Sequence, residues 1–195
     1  MPKTLHFLFD FGSPASYLAY KALPDIAART GARIEYVPVL LGGVFKATGN
    51  ASPASVPAKG KWMNADLNRW ARRRGTEFNR NPHFPINTMH LMRGAAGLKD
   101  DPRFAAYVEE VFNAMWREPR NLGDPAELVP VLERAGVSPD EFRALTEDEG
   151  VKARLRETTE QAVERGMFGA PTFFVDDELY FGQDRLDFVE EALRA

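Results

Sequence analysis

The run Phe7-Leu-Phe-Asp-Phe-Gly-Ser-Pro-Ala-Ser-Tyr17 constrains the fold more than any other part of the chain. Leu5 to Phe11 is apolar except at His6 and Asp10, short for a helix and rich in aromatic side chains, which predicts a buried strand. Gly12-Ser13-Pro14 breaks it. Serine is a favoured helix N-cap, and proline suits the first helical position, where its missing N–H has no intrahelical partner. A helix over Ala15 to Ala28 follows, with Leu18, Ala22, Leu23 and Ile26 on one face and Pro24 as a candidate kink. Ser13 thus falls where a strand gives way to a helix, beside unpaired N–H groups and the positive end of the macrodipole. Such a place stabilises an anion. Taken alone, the Ser-Pro pair reads as a cap and nothing more.

Gly31 is a C-terminal stop, and Arg33 to Pro38 alternates polar and apolar as a second strand, giving a βαβ unit with a parallel pair. From Gly42-Gly43 through Gly49-Asn50 and Pro53 to Lys59-Gly60, small residues predict a long loop, and loops of that length are often functional. Helical spacing returns over Trp62 to Arg74, where Arg72-Arg73-Arg74 reads as a solvated face at the helix end. Asn81 to Asn87 is turn-rich. Helices are predicted over Thr88–Gly97, Pro102–Trp116, Pro125–Ala135, from the capping box at Ser138, and over Val151–Arg165. Thr172 to Val175 and Leu179 to Phe181 form a hairpin about Asp176-Asp177, and Asp184 opens the last helix. Pro171, directly before that hairpin, fits either a cis bond or a trans strand-opening proline. The order is β-α-β, a helical block, then α-β-β-α. This predicts an α/β protein whose sheet is built from residues 1–41 and 151–195, with residues 42–150 as a helical insertion.

Lys and Arg number 25 against 28 Asp and Glu, and the net charge of −3 makes no electrostatic case for nucleic acid or an anionic membrane. No signal-like or membrane-spanning apolar run is evident, so the cytoplasm is the expected location. With no cysteine, disulfides, thiolate metal sites and CxxC redox chemistry are excluded. His6 lies within a strand pattern, and His83 and His90 are seven residues apart without nearby carboxylates at ligand spacing, so no metal site is expected. A serine hydrolase is disfavoured because Gly12-Ser13-Pro14 lacks the Gly-x-Ser-x-Gly elbow.

The β-α-β start, the Gly169-Ala-Pro-Thr172 turn before a hairpin and the closing helix resemble the thioredoxin-like fold, with Ser13 where that fold carries its reactive group. Phe9–Tyr17, Asn81–Thr88, Gly169–Val175 and Phe181–Leu186 together resemble the 2-hydroxychromene-2-carboxylate isomerases, relatives of the kappa-class glutathione transferases. The similarity covers essentially the whole chain. It implies a glutathione-dependent isomerase of bacterial naphthalene-type degradation, commonly a homodimer. It further implies that Ser13 contacts the glutathione sulfur, and that Asn50, Lys59, Ala170, Pro171, Gln183 and Asp184 occupy ligand-binding positions.

Each assignment has a physical rationale and a plainer counterpart. The Ser13 hydroxyl can donate to a thiolate that the helix end also stabilises, or serve only as a cap. Lys59 suits a glycine carboxylate and is otherwise an ordinary surface lysine. Asn50 can serve an amide ligand or make an Asx turn. Asp184 suits the γ-glutamyl ammonium and is also a candidate N-cap; Gln183 faces the same end of the ligand or lies in a plain loop. Ala170 offers backbone groups to an added strand. Trp62, Asn81 and Phe84 are candidates for the second-substrate pocket, with a core role open for Trp62 and Phe84. A kappa-like transferase and a non-catalytic thioredoxin-fold binding protein are the rival readings.

Overall fold

A computed structural model describes residues 2–195. The strands β1 (Thr4–Phe9), β2 (Arg33–Pro38), β3 (Thr172–Val175) and β4 (Glu178–Phe181) form one sheet in the order β2-β1-β3-β4. The β1–β2 pair is parallel, and the β1–β3 and β3–β4 pairs are antiparallel. Both ends of the chain therefore contribute to the sheet, as the α/β thioredoxin-like reading expects.

Strand alternation divides β1 between two cores. Leu5, Phe7 and Phe9 point into the main one, where Phe7 stacks on Phe9 at 5.4 Å and on Phe173 at 5.5 Å between ring centres. That core also takes Leu18, Leu23 and Ile26 of α1 (Pro14–Thr30) and Val111 and Phe112 of α5 (Phe104–Trp116). Val189 and Leu193 of α9 (Leu186–Arg194) complete it. Each fully buried Phe or Leu contributes about 1.5–3 kcal/mol. Leu8 and Phe174 face the other way, into a smaller cluster with Val44 of α2 (Leu41–Thr48) and Ala162 of α8 (Glu149–Glu164). The remaining helices are α3 (Pro57–Arg74), α4 (Met89–Gly97), α6 (Pro125–Arg134) and α7 (Pro139–Glu147). No helix among the described residues is long and apolar enough to cross a membrane.

Four sequence expectations need correction. The stretch from Gly42 to Lys59 is not one long loop: it holds α2, a 3₁₀ turn over Pro53–Ser55 and the start of α3. Remote side chains override the poor helix propensity of Gly42-Gly43 by satisfying the N-terminus of α2. Leu40 N–H donates to Thr159 Oγ1 at 3.0 Å and Leu41 N–H to Asp10 Oδ2 at 2.9 Å. Secondly, α3 begins at Pro57, not near Trp62. Thirdly, Arg74 leaves the solvated arginine run and turns inward to the C-terminal segment, held there by hydrogen bonds to Gln183. Fourthly, Asp184 does not cap the last helix. Gln183–Arg185 is a 3₁₀ turn, α9 starts at Leu186, and the Asp184 carboxylate instead pairs with Arg185 at 2.7 Å.

Candidate active site

The site starts from Asp10, the one acidic residue in the apolar run that leads to Ser13. It is 2% exposed. Its Oδ1 accepts from Gly12 N–H at 2.8 Å and from the Thr88 hydroxyl at 2.7 Å, while Oδ2 accepts from Leu41 N–H. Thr88 is the N-cap of α4, so one carboxylate ties together the turn before α1 and the N-terminal ends of α2 and α4. Burial raises the Asp10 pKa above the ordinary aspartate value, and these three hydrogen bonds pull the other way.

Ser13 stands on this foundation as the N-cap of α1. Its Oγ accepts from Ser16 N–H at 3.1 Å and donates to the Ala170 carbonyl at 3.0 Å. Capping and contact with the segment opposite are thus simultaneous. The Ala170–Pro171 bond is cis, which decides between the two conformations the sequence allowed. Pro171 O accepts from Gly182 N–H at 3.0 Å, joining the same segment to the turn that carries Gln183 and Asp184. Gly182 has φ +95°, and a Cβ there would lie 2.5 Å from the Asp184 carboxylate, so glycine is required.

The other candidate residues divide by what already holds them. Gln183 is buried, and its Oε1 and backbone carbonyl each accept from the Arg74 guanidinium at 2.6 Å. Burial, and then the neighbouring Arg73, lower the Arg74 pKa. The Asn50 amide donates to Phe168 O at 2.8 Å and accepts from Ala51 N–H at 2.8 Å, tying the end of α2 to the approach to Ala170. Asn81 is buried with its amide N–H groups on the Met115 and Arg120 carbonyls and its oxygen on His83 N–H. Its hydrogen-bonding capacity is used within the protein. Lys59, in the first turn of α3, is exposed. Trp62 is 64% exposed, so it is not a core residue.

Phe84 lies in a cleft of about 560 Å³ that begins at Pro14, the residue after Ser13. Phe78, Phe84, Trp116 and Met63 supply an aromatic and apolar lining, and Lys61 and Arg80 add two cations. Trp116 stacks on Phe78 at 6.1 Å, and its indole N–H donates to Phe11 O at 2.8 Å. The same side chain therefore forms a wall of the cleft and holds the strand end from which Ser13 follows. The cleft suits a flat aromatic ligand bearing negative charge. Among the described residues no group of three His, Asp or Glu side chains could hold a metal ion.

Sequence reasoning missed Asp10, Thr88, Arg74 and Trp116 as parts of this arrangement. A lone carboxylate in an otherwise apolar strand was the available signal for Asp10, since a buried charge needs several donors. Trp116 figures in the sequence reading only as the last residue of a predicted helix, and the structure buries it in the core as well.

The family profile of the DSBA-like thioredoxin domain matches residues 4–194. A 2-hydroxychromene-2-carboxylate isomerase of Sphingobium xenophagum is 36% identical over 99% of both chains. Glutathione S-transferase kappa 1 of Caenorhabditis elegans is 28% identical over 100% of this chain and 93% of that one. The solved structure of a 2-hydroxychromene-2-carboxylate isomerase superposes with a TM-score of 0.87 at 33% identity, covering 97% of this chain and 94% of that one. The fold and the profile define a DsbA-like thioredoxin protein. Within that class, the chain belongs to the 2-hydroxychromene-2-carboxylate isomerase family, related to the kappa-class glutathione transferases.

Proposed function

We propose that the chain is a glutathione-dependent cis–trans isomerase converting 2-hydroxychromene-2-carboxylate to trans-o-hydroxybenzylidenepyruvate in naphthalene-type aromatic degradation. A cytoplasmic homodimer goes with this reading. The observation that carries it is the meeting of Ser13 Oγ and Ala170 O, 3.0 Å apart, beside an aromatic cleft with cations in its lining.

The residues present fit glutathione. The Ser13 hydroxyl is a donor at a helix N-terminus, suited to a thiolate. The Ser13 O–H, which donates to Ala170 O here, would be the donor to the sulfur, and the Ala170 carbonyl next to Pro171 would then be open to an amide N–H of the ligand's backbone. Lys59 supplies a cation for the glycine carboxylate and Asp184 an anion for the γ-glutamyl ammonium. Gln183 and Asn50 shape the walls around these groups through their own hydrogen bonds. When bound as thiolate, glutathione supplies a nucleophile whose reversible addition to the opened hydroxychromene makes a double bond single, permits rotation and ends in elimination. Phe84 and Trp116 hold the aromatic ring, while Lys61 and Arg80 attract the carboxylate. Asn81 has no direct part and instead supports the turn that carries Phe84, while the exposed Trp62, between Lys61 and Met63 of the cleft, is free to cover the ring.

The test is to incubate the protein with the chromene carboxylate with and without glutathione, following both product and thiol. The expected outcome is isomerisation that requires glutathione and returns all of it. Net consumption of glutathione would replace this reading with a kappa-type transferase. Turnover without glutathione, or no stabilisation by millimolar glutathione, would overturn it.

A further inference from the structure

A second cavity, of about 470 Å³, lies across the sheet from the main core, and the proposed reaction makes no use of it. His6 of β1 and Arg33 and Glu35 of the edge strand β2 form one side; Lys99, after α4, and Arg154 of α8 form the other. His6 and Glu35 are paired neighbours in the sheet. Val37, Pro38 and Ala96 provide an apolar wall.

The charges here do not cancel. Lys99 is neutralised by Glu35, its ion-pair partner at 2.5 Å. Among the described residues no carboxylate lies within ion-pair distance of Arg33 or Arg154. One Arg154 N–H is used on Ala96 O at 3.1 Å, leaving the rest of its fork to face the opening. The His6 ring makes no hydrogen bond among the described residues. A chain with net charge −3 thus presents two uncompensated guanidinium groups and an unpartnered imidazole around one cavity.

We propose that this cavity is a second ligand site, taking a small molecule that bears a phosphate monoester. Two uncompensated cations match a dianion, and planar guanidinium forks recognise phosphate bidentately. The volume exceeds what phosphate alone needs, and the apolar wall accepts the organic remainder. His6 reports on occupancy. Its pKa is lowered first by burial and then by Arg165, with Arg33 and Lys99 adding to the effect and Glu35 alone opposing it. A bound dianion reverses the sign of that field, so the ring gains a proton at higher pH.

The experiment follows the His6 imidazole by NMR in the full chain, assigning its signal by loss in His6→Gln. Inorganic phosphate is titrated against chloride at matched ionic strength. Phosphate is expected to move the His6 midpoint to higher pH saturably. The double variant Arg33→Gln/Arg154→Gln should weaken the apparent affinity at least tenfold, by loss of hydrogen bonds to a charged group, while the chain stays folded and loses only the small stabilisation of the Arg154–Ala96 bond. A His6 midpoint that moves no further in phosphate than in chloride overturns the proposal. So does a phosphate response that survives in the double variant.

Discussion

The floor and the rim of the candidate site are built on different principles. On the floor, Asp10, Ser13, Thr88 and Ala170 are joined by hydrogen bonds of 2.7–3.0 Å, and the Asp10 carboxylate accepts three donors. At the rim, Lys59 and Asp184 are exposed and Trp62 stands largely in solvent. The floor is shaped during folding, so its residues contribute to stability and to geometry together. The rim contributes only when a ligand is present. Substitutions should therefore separate the two cleanly.

The largest effect is expected from Asp10→Ala, which leaves one buried and two part-buried donors without their partner and should destabilise by about 3 kcal/mol, at about 1–3 kcal/mol for the buried one and less for each of the others. Urea unfolding measures it; a loss below about 1 kcal/mol would break the comparison. The same variant should alter pH dependence. Because the folded Asp10 pKa is raised by burial, the folded state keeps this proton to higher pH than the unfolded chain. The resulting stabilisation is complete below the unfolded value and is lost as pH rises through the folded one, so Asp10→Ala should remove that decline.

Ser13 comes next. Loss of a hydrogen bond to a charged sulfur, about 1.5–3 kcal/mol, lowers kcat/KM by roughly 10- to 150-fold in both Ser13→Ala and Ser13→Gly. Only the alanine variant should also lose about 1 kcal/mol of helix-cap stability. Full activity in Ser13→Gly would reduce the residue to a cap.

Lys59→Ala is the smallest of the three. Glutathione affinity should fall about two- to fivefold, the range of an exposed ion pair, with the melting temperature unchanged. A drop in stability would place Lys59 with the floor instead. Asp184→Ala should behave in the same way, because Asp184 does not cap α9.

The strand–turn–helix carrying Ser13 was legible because its signals are local: an apolar run, Ser-Pro at the helix start, and Gly31 with φ +72° at its end. The hairpin after Pro171 was legible for the same reason. Asp10 was not, since its partners Leu41 and Thr88 lie 31 and 78 residues away. The helix α2 was hidden by the same circumstance, as the groups that satisfy its start come from Asp10 and Thr159. Three successive arginines look alike in sequence, and only the packing of α3 beside α1 decides that Arg74 turns inward. Asp184 misled in the opposite direction. An acidic residue before an apolar periodic run is a good cap signal, but the 3₁₀ turn after Gly182 moves the cap position to Arg185.

The anchoring of α3 has a mechanical consequence. Its buried residues, Leu67 and Ala71, and the Arg74 clamp on Gln183 all lie in its second half. The first half, which lines the cleft through Lys61 and Met63, has supports of its own: Met63 packs on the core, and Gly60 passes so close to the 3₁₀ turn that a Cβ would lie 3.3 Å from Ala54 Cα. Lys59 is eight residues from Leu67, about 12 Å at 1.5 Å per residue, and Gly60 and Met63 hold the helix between them. The wall of the cleft is thus fixed at both ends, by the Arg74 clamp on Gln183 and by the turn at Pro53–Ser55, as a beam is by two bearings.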